Sequence, residues 1–145
     1  MNSVIVSCMS CTTKNRIAAD RQHLRPLCGK CKTPLDLTGQ AVPVELDSQG
    51  FHDFIKQAPL PVMVDFYSPT CGPCHSMMPI IHDMARKAVN RYIIAKVDTS
   101  KNQQLAAFFN IRGVPSFIFF NNGSMVEQVA GAVPQNVLMD KLANF

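Results

Sequence analysis

The stretch that decides the fold runs from residue 61 to residue 75 and reads PVMVDFYSPTCGPCH. Its first seven residues form a compact apolar run that contains one acid, Asp65, and such a run predicts a buried strand. Two cysteines, Cys71 and Cys74, follow at the junction with a predicted helix that runs toward residue 90. Pro79 falls inside this helix and should kink it.

The position of the cysteine pair predicts its chemistry. The sulfur of Cys71 should lie at the helix N-terminus, where free amide groups and the helix dipole favour a thiolate. Cys74 lies three positions further along, on the same face, and can reach Cys71 to form a disulfide. The Gly72-Pro73 spacer allows the turn and then fixes the start of the helix. We predict a thiol–disulfide exchange site here. The alternative is a metal half-site completed by a nearby histidine.

Strand and helix patterns alternate around this junction in the order β-α-β-α-β-α-β-β-α. Asn122-Gly123 is a strong two-residue hairpin signal between the last two strands. The predicted fold class is therefore α/β, a mixed β-sheet flanked by helices on both faces. The predicted strands span 41–46, 61–67, 92–98, 115–120 and 124–130, and the other predicted helices span 50–58, 102–109 and 134–145.

The remaining four cysteines form two C-x-x-C pairs, Cys8/Cys11 and Cys28/Cys31, separated by 16 residues. A two-residue gap lets both thiolates of a pair face one ion, and two such pairs complete a tetrahedron. Gly29 suits the tight turn that such a knuckle requires. We predict one structural Zn²⁺ ion and no organic cofactor. The alternatives are two structural disulfides, which a reducing compartment disfavours, or four free thiols.

Charge and composition divide the chain. Residues 1–36 carry six basic and two acidic residues, whereas 37–145 carry eight of each, so the whole net charge of +4 lies in the first segment. This segment is poor in aromatic residues, and turn-forming residues mark a boundary near 34–39. We predict a zinc-binding ribbon over 1–36 and an α/β domain over 37–145.

The basic ribbon suggests nucleic-acid binding, but its charge argues against this function. Four thiolates and one divalent ion sum to −2, which leaves the loaded segment with only about +2. There is also little aromatic interleaving for base stacking. We therefore expect no nucleic-acid partner.

No apolar run approaches the roughly 18 residues that a membrane helix needs, so no membrane association is expected. The N-terminus lacks a basic start followed by a long apolar stretch, which argues against a secretory signal. We predict a cytoplasmic location, where thiols stay reduced.

These motifs together resemble the thioredoxin family, and the N-terminal CMSCTTKNRIAADR…CGKC resembles its bacterial thioredoxin 2 type with an N-terminal zinc-binding segment. The motifs that carry the resemblance are CGPC after a strand, VDFY, Pro79 five residues after Cys74, VPSF at 114–117, and NG before VAGA. The resemblance implies a thioredoxin-like fold and a protein disulfide reductase. It also implies disulfide-containing protein substrates and a thioredoxin reductase that restores the dithiol.

The resemblance also assigns roles to single residues. Asp65 matches a buried acid that exchanges a proton with the resolving thiol, here Cys74, and burial should raise its pKa. Lys96 matches a lysine near that acid. Pro115 matches the cis-proline of the substrate loop, and Gly131 matches a glycine of the substrate groove. From the residues alone, Asp65 could be a hydrogen-bonded structural acid, Lys96 could be a lysine that snorkels from the sheet edge, and Gly131 could be an ordinary turn glycine.

The chain departs from the family beside the cysteines. It contains no tryptophan, and Tyr67 and Thr70 stand where thioredoxins usually have one. Thr70 should leave Cys71 more exposed and weaken apolar docking, so its effect falls on partner range. The residues predicted to bind substrate are Thr70, Gly72, Pro73, Pro115 and Gly131. A zinc-linked redox sensor or redox-regulated chaperone is the alternative function.

Overall fold

Seven strands, four α-helices and one 3₁₀ segment make up the computed structural model, which describes residues 2–145. The strands are β1 (Ser3–Ser7), β2 (Lys14–Ala18), β3 (Val44–Glu45), β4 (Val62–Tyr67), β5 (Ile93–Asp98), β6 (Ser116–Asn121) and β7 (Ser124–Ala130). The helices are α1 (Phe51–Gln57), α2 (Gly72–Lys87), α3 (Gln103–Phe108) and α4 (Gln135–Ala143), and the 3₁₀ segment is Ala19–Leu24.

Five strands form the central sheet in the order β3-β5-β4-β6-β7. β3, β5 and β4 are parallel, whereas β6 and β7 run antiparallel to their neighbours. β4 and β5 are central and almost wholly buried, as their apolar sequences require when both sheet faces are covered. The predicted mixed sheet flanked by helices is thus confirmed.

Alternate side chains of the central strands enter two separate cores. One core contains Val64, Phe66 and Ile118 and packs against α1 and α3. The other contains Met63 and Ile94 and packs against α2 and α4. Asp65 and Lys96 each follow a member of the second core by two residues, so they share the face that α2 covers.

The N-terminal segment is an antiparallel hairpin of β1 and β2 that docks on the rest of the chain. Val6 and Ile17 of the hairpin cluster with Leu37 and Ala41. The buried Gln22 side chain donates to the carbonyl of Val42 at 2.8 Å and accepts from its N–H at 2.8 Å. The sequence-based boundary between residues 36 and 37 stays a prediction.

Several element bounds differ from expectation. Only Val44–Glu45 of the predicted 41–46 strand pairs with β5, since Pro43 has no N–H for the ladder. Helix α2 continues through Pro79 but ends at Lys87, short of residue 90. The Asn122-Gly123 turn is present between β6 and β7, with φ of 53° and 80° that fit the expected hairpin turn.

Candidate functional site

The Cys71–Cys74 pair lies at the junction between β4 and α2. Cys71 is the N-cap residue of α2, and its Sγ accepts the backbone N–H of Cys74 at 3.1 Å. The two residues form a disulfide with a Cα–Cα distance of 5.2 Å. Cys71 is half-buried, whereas only 5% of Cys74 is exposed. Cys71 is therefore the more accessible of the two cysteines.

The loop that precedes β6, the neighbour of β4, lies against Cys71. The Val114 carbonyl oxygen is 3.6 Å from Cys71 Sγ, and the Val114–Pro115 peptide bond is cis. The Gly131 N–H donates to the Pro115 carbonyl at 2.8 Å. Gly131 has a φ of +89°, a backbone conformation that favours glycine. The structure thus brings together Pro115 and Gly131, which are distant in sequence from Cys71.

The rim around the disulfide consists of small residues. Thr70, Gly72 and Pro73 are all exposed. Thr70 Oγ1 lies 3.2 Å from Ser68 Oγ, so its side chain is tied back to its own loop. The surface beside the disulfide therefore offers backbone and hydroxyl groups where a tryptophan ring would offer an apolar plane.

Asp65 is a buried acid beside the pair. Only 5% of Asp65 is exposed, and within residues 2–145 its Oδ1 has no hydrogen-bond partner. Burial raises the pKa of Asp65 to about 7, an effect that the positive charge of Lys96 opposes and the negative charge of Glu45 reinforces. Asp65 and Cys74 line the same cavity, which has a volume of about 290 Å³.

Lys96 lies between two acids on this face. Its register partners are Asp65 on β4 and Glu45 on β3, and its Nζ lies 5.3 Å from the centroid of the Tyr67 ring. The Tyr67 hydroxyl donates a hydrogen bond to Glu45 Oε1. Burial, followed by the bond to Glu45, raises the pKa of Tyr67. Sequence reasoning missed Glu45; its signal was an acid inside the apolar run that became β3.

The other four cysteines converge on one point. Their sulfurs all lie within 4.8 Å of one another. Cys8 and Cys31 have their Sγ atoms 3.6 Å apart, and those of Cys11 and Cys28 are 3.7 Å apart. Tetrahedral Zn²⁺ with Zn–S bonds of about 2.3 Å places its sulfurs about 3.8 Å apart. The donor set and its spacing therefore fit zinc.

The surroundings of Cys28 and Cys31 favour their thiolates, because hydrogen bonds lower the pKa of both. Backbone N–H groups, of Cys31 first and Lys30 second, lower the pKa of Cys28 to about 6. Thr13 Oγ1 lies 3.2 Å from Cys11 Sγ, and Thr33 Oγ1 lies 3.1 Å from Cys31 Sγ. Sequence reasoning missed both threonines, although C-x-x-C-x-T occurs twice and signals two equivalent knuckles.

Comparison with known families covers both segments. The thioredoxin family profile matches residues 42–144, most of the chain. The chain belongs to the thioredoxin family. A second profile, the zinc ribbon described as thioredoxin 2, N-terminal, matches residues 7–33. It spans all four clustered cysteines.

Individual thioredoxins are similar along much of the chain. Thioredoxin C-3 of Corynebacterium nephridii is 36% identical over 134 residues, covering 90% of this chain and 87% of that protein. Thioredoxin 1 of a Nostoc species is 35% identical over 92 residues, covering 63% and 86% respectively. Among solved structures, a thioredoxin variant from Halobacterium salinarum superposes with a TM-score of 0.66 and 30% identity, covering 72% of this chain and 90% of that one.

Family and geometry agree on the chemistry. The chain is a thioredoxin-type thiol–disulfide oxidoreductase, and its Cys71 and Cys74 lie close enough to form a disulfide. Its four-cysteine cluster belongs to a zinc ribbon and suits zinc binding. None of the helices within residues 2–145 combines the length and apolar character needed to cross a membrane.

Proposed function

We propose that this thioredoxin works as a protein disulfide reductase, with Cys71 as the attacking thiol and Cys74 as the resolving thiol. The observation that carries the proposal is their unequal placement. Cys71 Sγ lies half-buried at the N-terminus of α2, where the dipole and the free N–H groups stabilise a thiolate. Cys74 is buried one turn further on and cannot meet a large partner first.

The exchange takes place in two successive thiol–disulfide exchange steps. The Cys71 thiolate attacks one sulfur of a partner disulfide, forms a mixed disulfide and releases the other partner sulfur as a thiolate. The Cys74 thiolate then attacks Cys71 Sγ, and the second partner sulfur leaves. The partner gains two electrons, and the Cys71–Cys74 disulfide holds the oxidising equivalent. The structure represents this oxidised product.

Asp65 accepts the proton of the Cys74 thiol in the second step. A carboxyl group with a pKa of about 7 exchanges protons near neutral pH, as a general base for a thiol must. Asp65 and Cys74 line one cavity of about 290 Å³, which has room for a water molecule to relay the proton. Lys96, in register with Asp65, stabilises the carboxylate once it forms.

The partner docks on the rim around Cys71. The Val114–Pro115 backbone lies beside the sulfur, with Gly131 hydrogen-bonded to Pro115, and the rim also presents the exposed residues Thr70, Gly72 and Pro73. Backbone recognition of this kind suits many disulfide-containing proteins because it does not read side chains. Thr70 removes an apolar contact and narrows the set of partners that bind well.

Electrons reach the pair from outside the chain. A flavoprotein thioredoxin reductase that uses NADPH restores the dithiol, as family membership supports. We place the protein in the cytoplasm, since a reducing compartment keeps both the dithiol and the zinc thiolates reduced.

The ribbon holds one structural Zn²⁺ ion through Cys8, Cys11, Cys28 and Cys31. Because the ribbon over 1–36 has a small apolar core, the metal supplies folding free energy that the core lacks. Residues 37–145 form the catalytic domain. The short spacing of the sulfurs supports a single ion.

Trapping the mixed disulfide tests the assignment of the two thiols. Cys74→Ser should accumulate a covalent adduct with a disulfide-containing test protein such as insulin, because Cys71 still attacks but nothing resolves the product. Cys71→Ser, the matched control, should form no adduct through the buried Cys74. Non-reducing electrophoresis and mass spectrometry read the adduct. Equal trapping by both variants would contradict the assignment.

A zinc-linked redox sensor or chaperone is a second candidate, and one observation favours it. Cys31 is exposed, whereas Cys8 and Cys28 are buried, so an oxidant has access to one edge of the cluster. Under mild peroxide, zinc release measured with a chromophoric chelator should then accompany a change in reductase rate. An unchanged rate after full release would remove this candidate.

A further inference from the structure

A row of charged side chains crosses the sheet on the face that α2 covers. Glu45, Lys96 and Asp65 occupy the same register position on β3, β5 and β4. Residues in register on adjacent parallel strands point to the same face and lie about 4.8 Å apart. The two acids therefore flank one lysine, with their backbones about 10 Å apart.

The ammonium group of Lys96 lies between two carboxyl groups in this row. Glu45 Oε2 and Asp65 Oδ1 are both buried without a hydrogen-bond partner in the described part of the chain. Across residues 2–145, no ion pair within 4.0 Å joins Lys96 to an acidic side chain. Two like charges in a poorly solvated site disfavour double ionisation, so one acid holds a proton more readily than the other.

The Tyr67 hydroxyl breaks the symmetry between the two acids. It donates to Glu45 Oε1, whereas Asp65 Oδ1 receives no donor. A donor stabilises an ionised carboxylate, and the edge strand β3 leaves Glu45 partly exposed while Asp65 is only 5% exposed. Glu45 is therefore the acid that carries the negative charge, and Asp65 is the acid that keeps its proton.

We propose that Glu45, held by the Tyr67 hydroxyl, is a positioning residue that keeps the proton on Asp65 and so sets the pH range in which Asp65 serves Cys74. The proposal rests on the proposed function, because it deepens the role given there to Asp65. Glu45 does not line the cavity that Asp65 shares with Cys74, so its effect on Cys74 passes through the charge on Asp65.

The other charged and titratable groups around Asp65 do not replace Glu45. Burial and the negative charge of Glu45 raise the pKa of Asp65, and the positive charge of Lys96 opposes them. Phe117, the β6 register partner of Asp65, carries no charge. The remaining charged and titratable groups lining the cavity are Asp98 on β5, Cys74, His75 and His82 on α2, Tyr67 on β4, and Lys101 after β5.

The test measures the titration of Asp65 directly. In the oxidised full-length protein with isotopically labelled aspartate, NMR follows the Asp65 carboxyl carbon against pH. Glu45→Gln keeps the shape and an acceptor for Tyr67 but removes the charge. The Asp65 midpoint should then fall by about half a unit to one unit, the size that two charges about 10 Å apart give at intermediate dielectric constants.

Glu127→Gln is the matched control. The chain has only these two glutamates, and Glu127 lies on β7, at the opposite edge of the sheet, paired with Lys141. Removing its charge should leave the Asp65 midpoint unchanged. An unchanged midpoint in Glu45→Gln, or an equal shift in both variants, would overturn the proposal.

A double-variant cycle tests the part played by Tyr67. Tyr67→Phe keeps the ring near Lys96 but removes the donor to Glu45, so the Asp65 midpoint should fall by less than in Glu45→Gln. Combined with Glu45→Gln, it should add no further shift, because Tyr67 acts through Glu45. A full additional shift would show that Tyr67 acts on Asp65 by itself and would contradict the proposal.

The kinetic consequence separates this inference from the proposed function. Glu45→Gln should shift the pH profile of one rate, the rate at which Cys74 resolves a mixed disulfide. The shift should be toward lower pH, by the same half to one unit. If the NMR midpoint moves but the kinetic profile does not, Asp65 is not the proton acceptor and the proposal fails as stated. Cys71 and Cys74 would still form an exchange pair in that case.

Discussion

Replacing Asp65 by Asn should stabilise the protein at alkaline pH and change little in acid. The carboxyl group has a pKa of about 7 when folded and an ordinary value of 3.8 in the unfolded chain. The folded state therefore binds this proton more tightly. Stability is fully present below the unfolded pKa and is lost as pH rises toward about 7, because the buried group must ionise. Asn has the same shape and never ionises.

The magnitude follows from the two pKa values. A difference of about 3 units at 1.36 kcal/mol per unit gives about 4 kcal/mol at about pH 8. At about pH 4 the folded group is protonated and the unfolded one is about half ionised, so the difference falls below about 1 kcal/mol. The gain of Asp65→Asn over the wild type should thus grow by about 3 kcal/mol between these pH values.

Urea unfolding of the oxidised proteins at the two pH values measures this difference. Asp140→Asn is the matched control, since Asp140 is exposed on α4 and its loss should change the free energy of unfolding by less than about 0.5 kcal/mol at either pH. A gain for Asp65→Asn that is equal at both pH values would refute the reasoning. So would destabilisation at alkaline pH.

Three further outcomes are expected. Cys28→Ser should abolish zinc binding and remove hydrogen-exchange protection from β1 and β2 while β4 stays protected; retained protection in the hairpin would count against a metal-held ribbon. Thr70→Trp should change reduction rates by about tenfold for partners with apolar residues beside their disulfide, because the added apolar contact contributes about 1.4 kcal/mol. Unchanged rates across several protein substrates would make Thr70 incidental. Gly131→Ala should lower the free energy of unfolding by about 1 kcal/mol through backbone strain, because φ at residue 131 is +89°. Steric overlap does not contribute, since an added Cβ would meet nothing within 4 Å. Unaltered urea midpoints would contradict this.

Much of the central sheet follows from local sequence pattern. The buried strands β4 and β5 are short apolar runs, and the Asn122-Gly123 turn has the dihedral angles that its sequence predicts. The convergence of four cysteines within 4.8 Å follows from two C-x-x-C knuckles. In each case the deciding interaction is encoded by neighbouring residues.

The features that sequence reasoning missed depend on long-range contacts. Glu45 meets Tyr67 only because β3 and β4 flank β5, and no local pattern gives that strand order. The docking of the ribbon through Gln22 onto Val42 is likewise set by tertiary packing. The strand predicted over 41–46 is shortened to Val44–Glu45 for a related reason, since an edge strand pairs on one side and Pro43 removes a donor.

Reduction of insulin disulfides, driven by NADPH through a thioredoxin reductase, tests the central claim most directly. The wild type should sustain NADPH oxidation and precipitate the reduced insulin. Cys71→Ser should lose this turnover completely, because its serine hydroxyl cannot attack a disulfide at neutral pH. Full turnover by Cys71→Ser would contradict the account and place the attacking thiol elsewhere in the chain.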